Sequence, residues 1–169
     1  MRVAPIGYAK RILMIHKILV PLDCSAMAET ALPVARKMAL ENSAEVVLFH
    51  SDYPKEMSTL SEIEKAERSH AVSYMQDTFN KENIGGLRVT TAMRDGITAH
   101  DAILEYAERN AVDAIVMSTH GRTGAAALVI GSTADKVVKA CPIMVVLVRP
   151  FQPDAAGEPT VERMEINAP

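Results

Sequence analysis

Tryptophan is absent from these 169 residues, and three phenylalanines and four tyrosines are all the aromatic material. That leaves little from which to build the stacking platforms that hold single-stranded nucleic acid. A net charge of −3 offers no basic field for a phosphate backbone or an acidic lipid surface. Nucleic acid and membrane are therefore not expected partners. No apolar run approaches the ~20 residues needed to cross a bilayer, and the N-terminal "ILMI" is too short for a secretory signal. The two cysteines, Cys24 and Cys141, lie far apart and show no C-x-x-C spacing, which excludes a disulfide framework and fits reduced thiols in a cytoplasmic protein. Neither H-E-x-x-H nor a His-Cys cluster occurs, so no metal site is expected from protein ligands, and Ser25 and Ser132 lack the G-x-S-x-G setting of a hydrolase.

What is present is the composition of one ordinary globular domain, 49% hydrophobic and 23% charged. Short apolar runs alternate with helical patterns. "KILVPLD" (17–23), "AEVVLFHS" (44–51), "LRVTTAMR" (87–94), "VDAIVMS" (112–118) and "PIMVVLV" (142–148) read as strands. Between them, Ala28, Ala31, Leu32, Ala35, Met38 and Ala39 form one helical stripe, with Ser25 as its N-cap and Pro33 predicting a kink or a late start. A second stripe runs through Leu60, Ile63, Ala66, Ala71, Met75 and Phe79 and stops at Gly85-Gly86. A third follows the Thr98–Asp101 pair, and a fourth includes Ala134, Val137, Val138 and Cys141. Five strands alternating with helices predict a parallel sheet covered on both faces, joined by right-handed crossovers. Ligands of such sheets sit beyond the carboxyl ends of the strands, where strand order reverses. The chemistry is expected from Leu22–Ser25, His50–Asp52, Arg94–Gly96 and Ser118–Gly121.

Glycine is scarce, yet three of the eight fall within "STHGRTGAAALVIGSTADKVV" (118–138). A glycine-rich loop lets backbone amides approach an anion, and a following helix N-terminus adds unpaired N–H groups and partial positive charge. Gly121, Gly124 and Gly131 with Ser132 and Thr133 have the makings of a phosphate cradle, to which Arg122 adds a cation and His120 an imidazole. The alternative is that these glycines only turn the chain. Asp23, ending the first strand, either receives a ribose diol or a divalent cation, or caps the helix that follows. Ser51 frames an adenine edge or sits in a plain loop. The stretch is not a Walker loop, since no lysine precedes Ser132, and no dinucleotide fingerprint follows the first strand.

"KILVPLDCS", "STHGRTG", "GSTADKVV" and "CPIMVVLV" together resemble the universal stress protein family (UspA-like), over roughly residues 15–149. Its ATP-binding branch carries G-2x-G-9x-G-(S/T). Gly121, Gly131 and Ser132 match that pattern, while Ser118 stands in place of its first glycine. The resemblance implies an α/β fold of the Rossmann-like, adenine nucleotide alpha hydrolase-like kind, with a five-stranded parallel sheet of order 3-2-1-4-5 and helices on both faces. It also implies that Pro21, Leu22, Asp23, Ser51 and Met117 line the nucleoside. Ser118, His120, Gly121, Arg122, Gly131, Ser132 and Thr133 complete the nucleotide site around the phosphates.

From this the expectation is an ATP-binding (or ADP- or AMP-binding) stress-response regulator. It would be a cytoplasmic homodimer paired through its last strand, 142–148, and would act on a regulatory protein partner not yet known. Magnesium would arrive with the nucleotide and reach Asp23, the only protein group expected near it. Nothing in the sequence is an obvious base for activating water, so no catalytic residue is assigned and slow ATP hydrolysis is the most expected of it. Two alternatives stand beside this reading: an interaction module that binds no nucleotide, and a weak ATPase or phosphotransferase. Residues 1–14 read as an N-terminal extension and 150–169, rich in proline and acids, as a flexible tail.

Overall fold

A computed structural model of the chain describes residues 14–52, 62–82, 86–95, 98–120 and 130–150. The expected extension and tail, apart from Met14 and Pro150, lie outside the described residues. So do Gly121, Arg122 and Gly124.

Strands β1 (Lys17–Pro21), β2 (Glu45–Asp52), β3 (Arg88–Asp95), β4 (Ala114–Ser118) and β5 (Met144–Val148) form one sheet of order β3-β2-β1-β4-β5, parallel throughout. Because side chains alternate across a strand, neighbouring residues serve opposite layers. Ile18, Val20, Val46, Leu48, Val89 and Val116 face one way, and Leu19, Val47, Phe49, Ile115 and Met117 the other. Helices α1 (Ala26–Glu29), α2 (Leu32–Asn42) and α3 (Glu62–Glu82) cover the first face, while α4 (Ala99–Arg109) and α5 (Ser132–Ala140) cover the second. Two cores result, separated by the sheet. This is why β1, β2 and β4 are nearly continuous apolar runs rather than alternating ones.

Proline 33 breaks the first helical stripe as its missing N–H requires. α1 closes on bonds from Thr30 N to Met27 O at 3.3 Å and from Ala31 N to Ala28 O at 3.2 Å. α2 then starts afresh with Pro33 in its first turn, where no intrahelical donor is needed. The Thr98–Asp101 pair behaves differently from a capping pair. Thr98 stands at the N-cap of α4, but its hydroxyl donates to Asp101 Oδ2 at 2.6 Å and makes no bond to the helix amides.

Strand ends are displaced by one or two residues from the sequence pattern. β1 stops at Pro21, and β5 begins two residues after Pro142, which cannot donate to a ladder. At the foot of β1, Asp113 supplies what a strand partner would. Its Oδ2 accepts the amides of His16 at 2.8 Å and Lys17 at 3.0 Å, while its own amide donates to Lys17 O at 3.0 Å. Asp113→Ala removes the carboxylate acceptor of an exposed and a half-buried amide and should cost about 1 kcal/mol. Asp113→Asn keeps one carbonyl oxygen and should cost less than half of that. Urea unfolding of the two variants, compared through their midpoints at constant slope, measures the difference.

Candidate functional site

The order in which strands are added to the sheet reverses between β1 and β4. Beyond their carboxyl ends the chain leaves toward opposite faces, into α1 on one side and toward α5 on the other. A cavity of about 240 Å³ opens there, close to the lower end of the ~300–1,000 Å³ typical of small-molecule sites.

On the β1 side the wall is Pro21, Leu22 and Asp23. Leu22 lies past the end of the strand, yet its amide still donates to Phe49 O at 2.8 Å. Its carbonyl is taken by a side chain: His50 Nδ1 is 2.8 Å from Leu22 O. A carbonyl can only accept, so this nitrogen carries the ring proton. His50 is 4% exposed, and the bond ties two segments 28 residues apart. The backbone then turns sharply, with Cys24 at φ +64 in the left-handed region that non-glycine residues rarely occupy. The Cys24 thiol rests 3.9 Å from the same His50 nitrogen. Asp23 Oδ1 accepts from Ser25 N at 3.1 Å and Ser25 Oγ at 2.5 Å, and Ser25 Oγ in turn accepts the Ala28 amide at 3.1 Å. Ser25 therefore caps α1, as its position in the sequence predicts, and Asp23 holds the cap in place while its side chain lines the cavity.

The β4 side supplies Met117, Ser118, Thr119 and His120. Three backbone amides here are committed within the protein. Thr119 N donates to Val148 O at 2.8 Å, His120 N to Ser118 Oγ at 3.2 Å, and Gly131 N to Thr119 O at 2.7 Å. The Gly131 amide, expected in the cradle, thus anchors α5 to the end of β4. The need for glycine at this position is one of approach rather than dihedral freedom: φ is −59°, but a Cβ would sit 3.1 Å from Thr119 O. The first turn of α5 follows, with Ser132, Thr133 and Ala134 facing the cavity and no side chain capping it. Its leading N–H groups have no partner within the helix and carry the positive end of its dipole. Asp135, on the outer side of that turn, pairs with Lys139 at 2.8 Å.

All ten described residues of the sequence-predicted site, from Pro21 to Thr133, line this one cavity; Gly121 and Arg122 lie outside the described residues. Of the Arg94–Gly96 strand end, Arg94 is not in the cavity lining, and Gly96 lies outside the described residues. β3 is two strands away from the reversal, and the start of α4 takes its place through Ala99 and Ile103. Sequence reading also passed over Phe49 and Thr119. The signal was there in the period of two, which puts Phe49 beside Ser51 and Thr119 beside Met117 on one face. Behind Phe49 the Tyr106 ring packs at a centroid distance of 5.0 Å. Burial, ahead of the nearby Glu45 carboxylate, pushes its phenol up, so that wall stays uncharged.

Chemically, the cavity has an apolar floor, one carboxylate, and a helix N-terminus with hydroxyls across from it. Among the described residues Asp23 is the only carboxylate in the lining, and no group of three or more His, Cys, Asp or Glu stands ready to hold a metal ion. Nor is any helix among them long and apolar enough to cross a membrane.

The family model described as the universal stress protein family matches residues 14–149. Universal stress protein MJ0531 of Methanocaldococcus jannaschii is 33% identical over 141 residues, covering 77% of this chain and 81% of that one. Among solved structures, universal stress protein UspA from Lactobacillus plantarum is similar with a TM-score of 0.71 at 26% identity, over 80% of this chain and 99% of its own. A universal stress protein from Archaeoglobus fulgidus in complex with dAMP has a TM-score of 0.57 at 20% identity, over 80% and 98% of the two chains. At that identity the likeness is one of fold.

The His50 bond to Leu22 can be tested without any ligand. His50→Leu removes the imidazole donor to a buried carbonyl and should cost about 1–3 kcal/mol. His50→Asn places an amide N–H near the Nδ1 position and should recover much of it. Amide exchange at Leu22 to Ser25, faster in the leucine variant and slow in the asparagine variant, would show that the latch holds this turn.

Proposed function

The chain belongs to the universal stress protein family, and we propose that it binds ATP, or ADP or AMP, in the crevice between β1 and β4 as a regulatory protein of the stress response. The observation that carries this reading is the pairing of opposites across one cavity. An uncapped helix N-terminus faces it from one side and the Asp23 carboxylate lines the other, with apolar walls between. A ligand matching that arrangement is anionic at one end, offers hydroxyl donors in the middle, and has a flat apolar body. A nucleotide has all three.

In this reading Pro21, Leu22 and Met117 hold the nucleoside, and the Ser51 backbone meets the adenine edge. Asp23 accepts from the ribose hydroxyls, and Ser118 lies beside them. Ser132 and Thr133 donate to the phosphates through hydroxyls and helix amides, with His120 next to them, and Gly121 and Arg122 complete the cradle. Magnesium, where present, comes bound to the phosphates and meets the protein at Asp23. The dAMP complex of the Archaeoglobus protein gives a precedent for an adenine nucleotide on this fold. The support in this chain comes from its own crevice.

The function proposed is binding rather than turnover. Nucleotide occupancy alters the loop 118–133 and so changes what the protein presents to a regulatory partner. A homodimer in the cytoplasm, paired through 142–148, is part of the same proposal. β5 is an edge strand of the sheet, and its Met144 is 44% exposed. An apolar edge of this kind is a surface that a second copy would cover.

One observation favours a second reading. Three amides on the β4 side already have partners within the protein, which suits an interaction module with no nucleotide. Titration calorimetry with magnesium and ATP separates the two. The wild-type protein should bind, and Asp23→Asn, which keeps a carbonyl oxygen for Ser25, should lose about tenfold to hundredfold in affinity, the value of a hydrogen bond to a charged group. No binding heat, together with no nucleotide detected by mass spectrometry in the purified protein, leaves the interaction module as the function.

A further inference from the structure

The end of β4 carries a nitrogen that no described residue satisfies. His120 Nε2 is buried and finds no hydrogen-bond partner among the described residues. Its ring partner Nδ1, by contrast, is 2.8 Å from Thr119 Oγ1. Buried polar groups are normally satisfied, and an orphan beside a cavity is one that a ligand can complete.

Neither residue is loosely placed. Thr119 is 8% exposed and Ser118 6%. The Thr119 backbone is tied at both its amide and its carbonyl, to Val148 and to Gly131. The His120 amide is tied to Ser118 Oγ. The His120 Cα lies 3.9 Å from where a Cβ on Gly131 would stand, so its backbone runs beside the N-terminus of α5, and His120 lines the same cavity as Gly131 and Ser132. That helix end favours negative charge. An imidazole serving an anion there must present N–H rather than a lone pair.

A neutral imidazole has one proton, and the hydrogen bond at one nitrogen decides which carries it. We propose that Thr119 is a positioning residue: its hydroxyl donates to His120 Nδ1, which places the ring proton on Nε2 as the donor to the anionic group of a ligand seated at the start of α5. The opposite tautomer would aim a lone pair at that anion. Loss of the hydroxyl frees the ring to adopt both tautomers, and only one of them is useful. This assignment relies on the nucleotide reading for the identity of the anion. The tautomer itself is a property of the free protein.

The test therefore has two arms. Nitrogen-15 spectra of the full chain with labelled histidine should show His120 protonated at Nε2. Thr119→Val, nearly the same shape without the hydroxyl, should show a mixture, and Thr119→Ser should restore the single form. In calorimetry, the ratio of ATP affinity to adenosine affinity should fall about twofold in Thr119→Val, the loss expected when only about half of the protein carries the competent tautomer, and return in Thr119→Ser. Protonation at Nδ1 in the free wild-type protein overturns the proposal, as does an unchanged ATP-to-adenosine ratio in the valine variant. Wild-type protein that binds neither ATP nor adenosine refutes the nucleotide reading instead. The spectra then decide the role of Thr119 on their own.

Discussion

A parallel sheet with two apolar faces must be covered twice, and its crossovers have one hand. These two constraints together force the architecture. From β1 the chain can add strands outward only by passing over one face, and to add strands on the other side of β1 it must pass over the opposite face. Helices α1 to α3, which lie in the connections from β1 to β2 and from β2 to β3, accordingly cover one face, and α4 and α5, which connect β3 to β4 and β4 to β5, cover the other. The gap between the ends of β1 and β4 is a by-product of that switch. No residue is needed to open it; residues are needed only to give it chemistry.

That chemistry depends on how firmly the departing backbone is held. At β1 the ladder ends at Pro21, yet Leu22 is fixed at its amide by Phe49 and at its carbonyl by His50. At β4 the ladder to β5 is prolonged by Thr119, whose carbonyl then receives the Gly131 amide and docks the start of α5. Each bond spans residues distant in sequence, so each carries tertiary information into a loop. The left-handed Cys24 is tolerated in this setting because the residues before and after it are held by Leu22, Asp23 and Ser25. A binding protein gains from such rigidity, since donors fixed in advance lose little entropy when a ligand arrives.

The same anchors explain why amides that look available from the sequence are not. Gly131 was legible as a residue where a side chain would be too large. What lies against it was not: the crowding atom is the Thr119 carbonyl, which takes the Gly131 amide as well. Glycine patterns encode space, whereas the direction of an N–H depends on which acceptor the fold brings near. Ser118 is a similar case. It reads as a departure from a glycine pattern, and in the structure its hydroxyl accepts the amide of His120 two residues on.

The order of strands and helices was written in the sequence, because a buried strand and an amphipathic helix each require their own apolar period whatever they later pack against. So were the break at Pro33, the Ser25 cap, and the gathering of Pro21–Asp23, Ser51, Met117–Ser118, His120 and Gly131–Thr133 at strand ends and a helix start. Local periods could not say that β3 would stand two strands from the crevice, that Ala99 and Ile103 would close its wall, or that His50 would reach back to Leu22. Those facts depend on the lateral order of the strands and on contacts between segments tens of residues apart. No period within a single element records them.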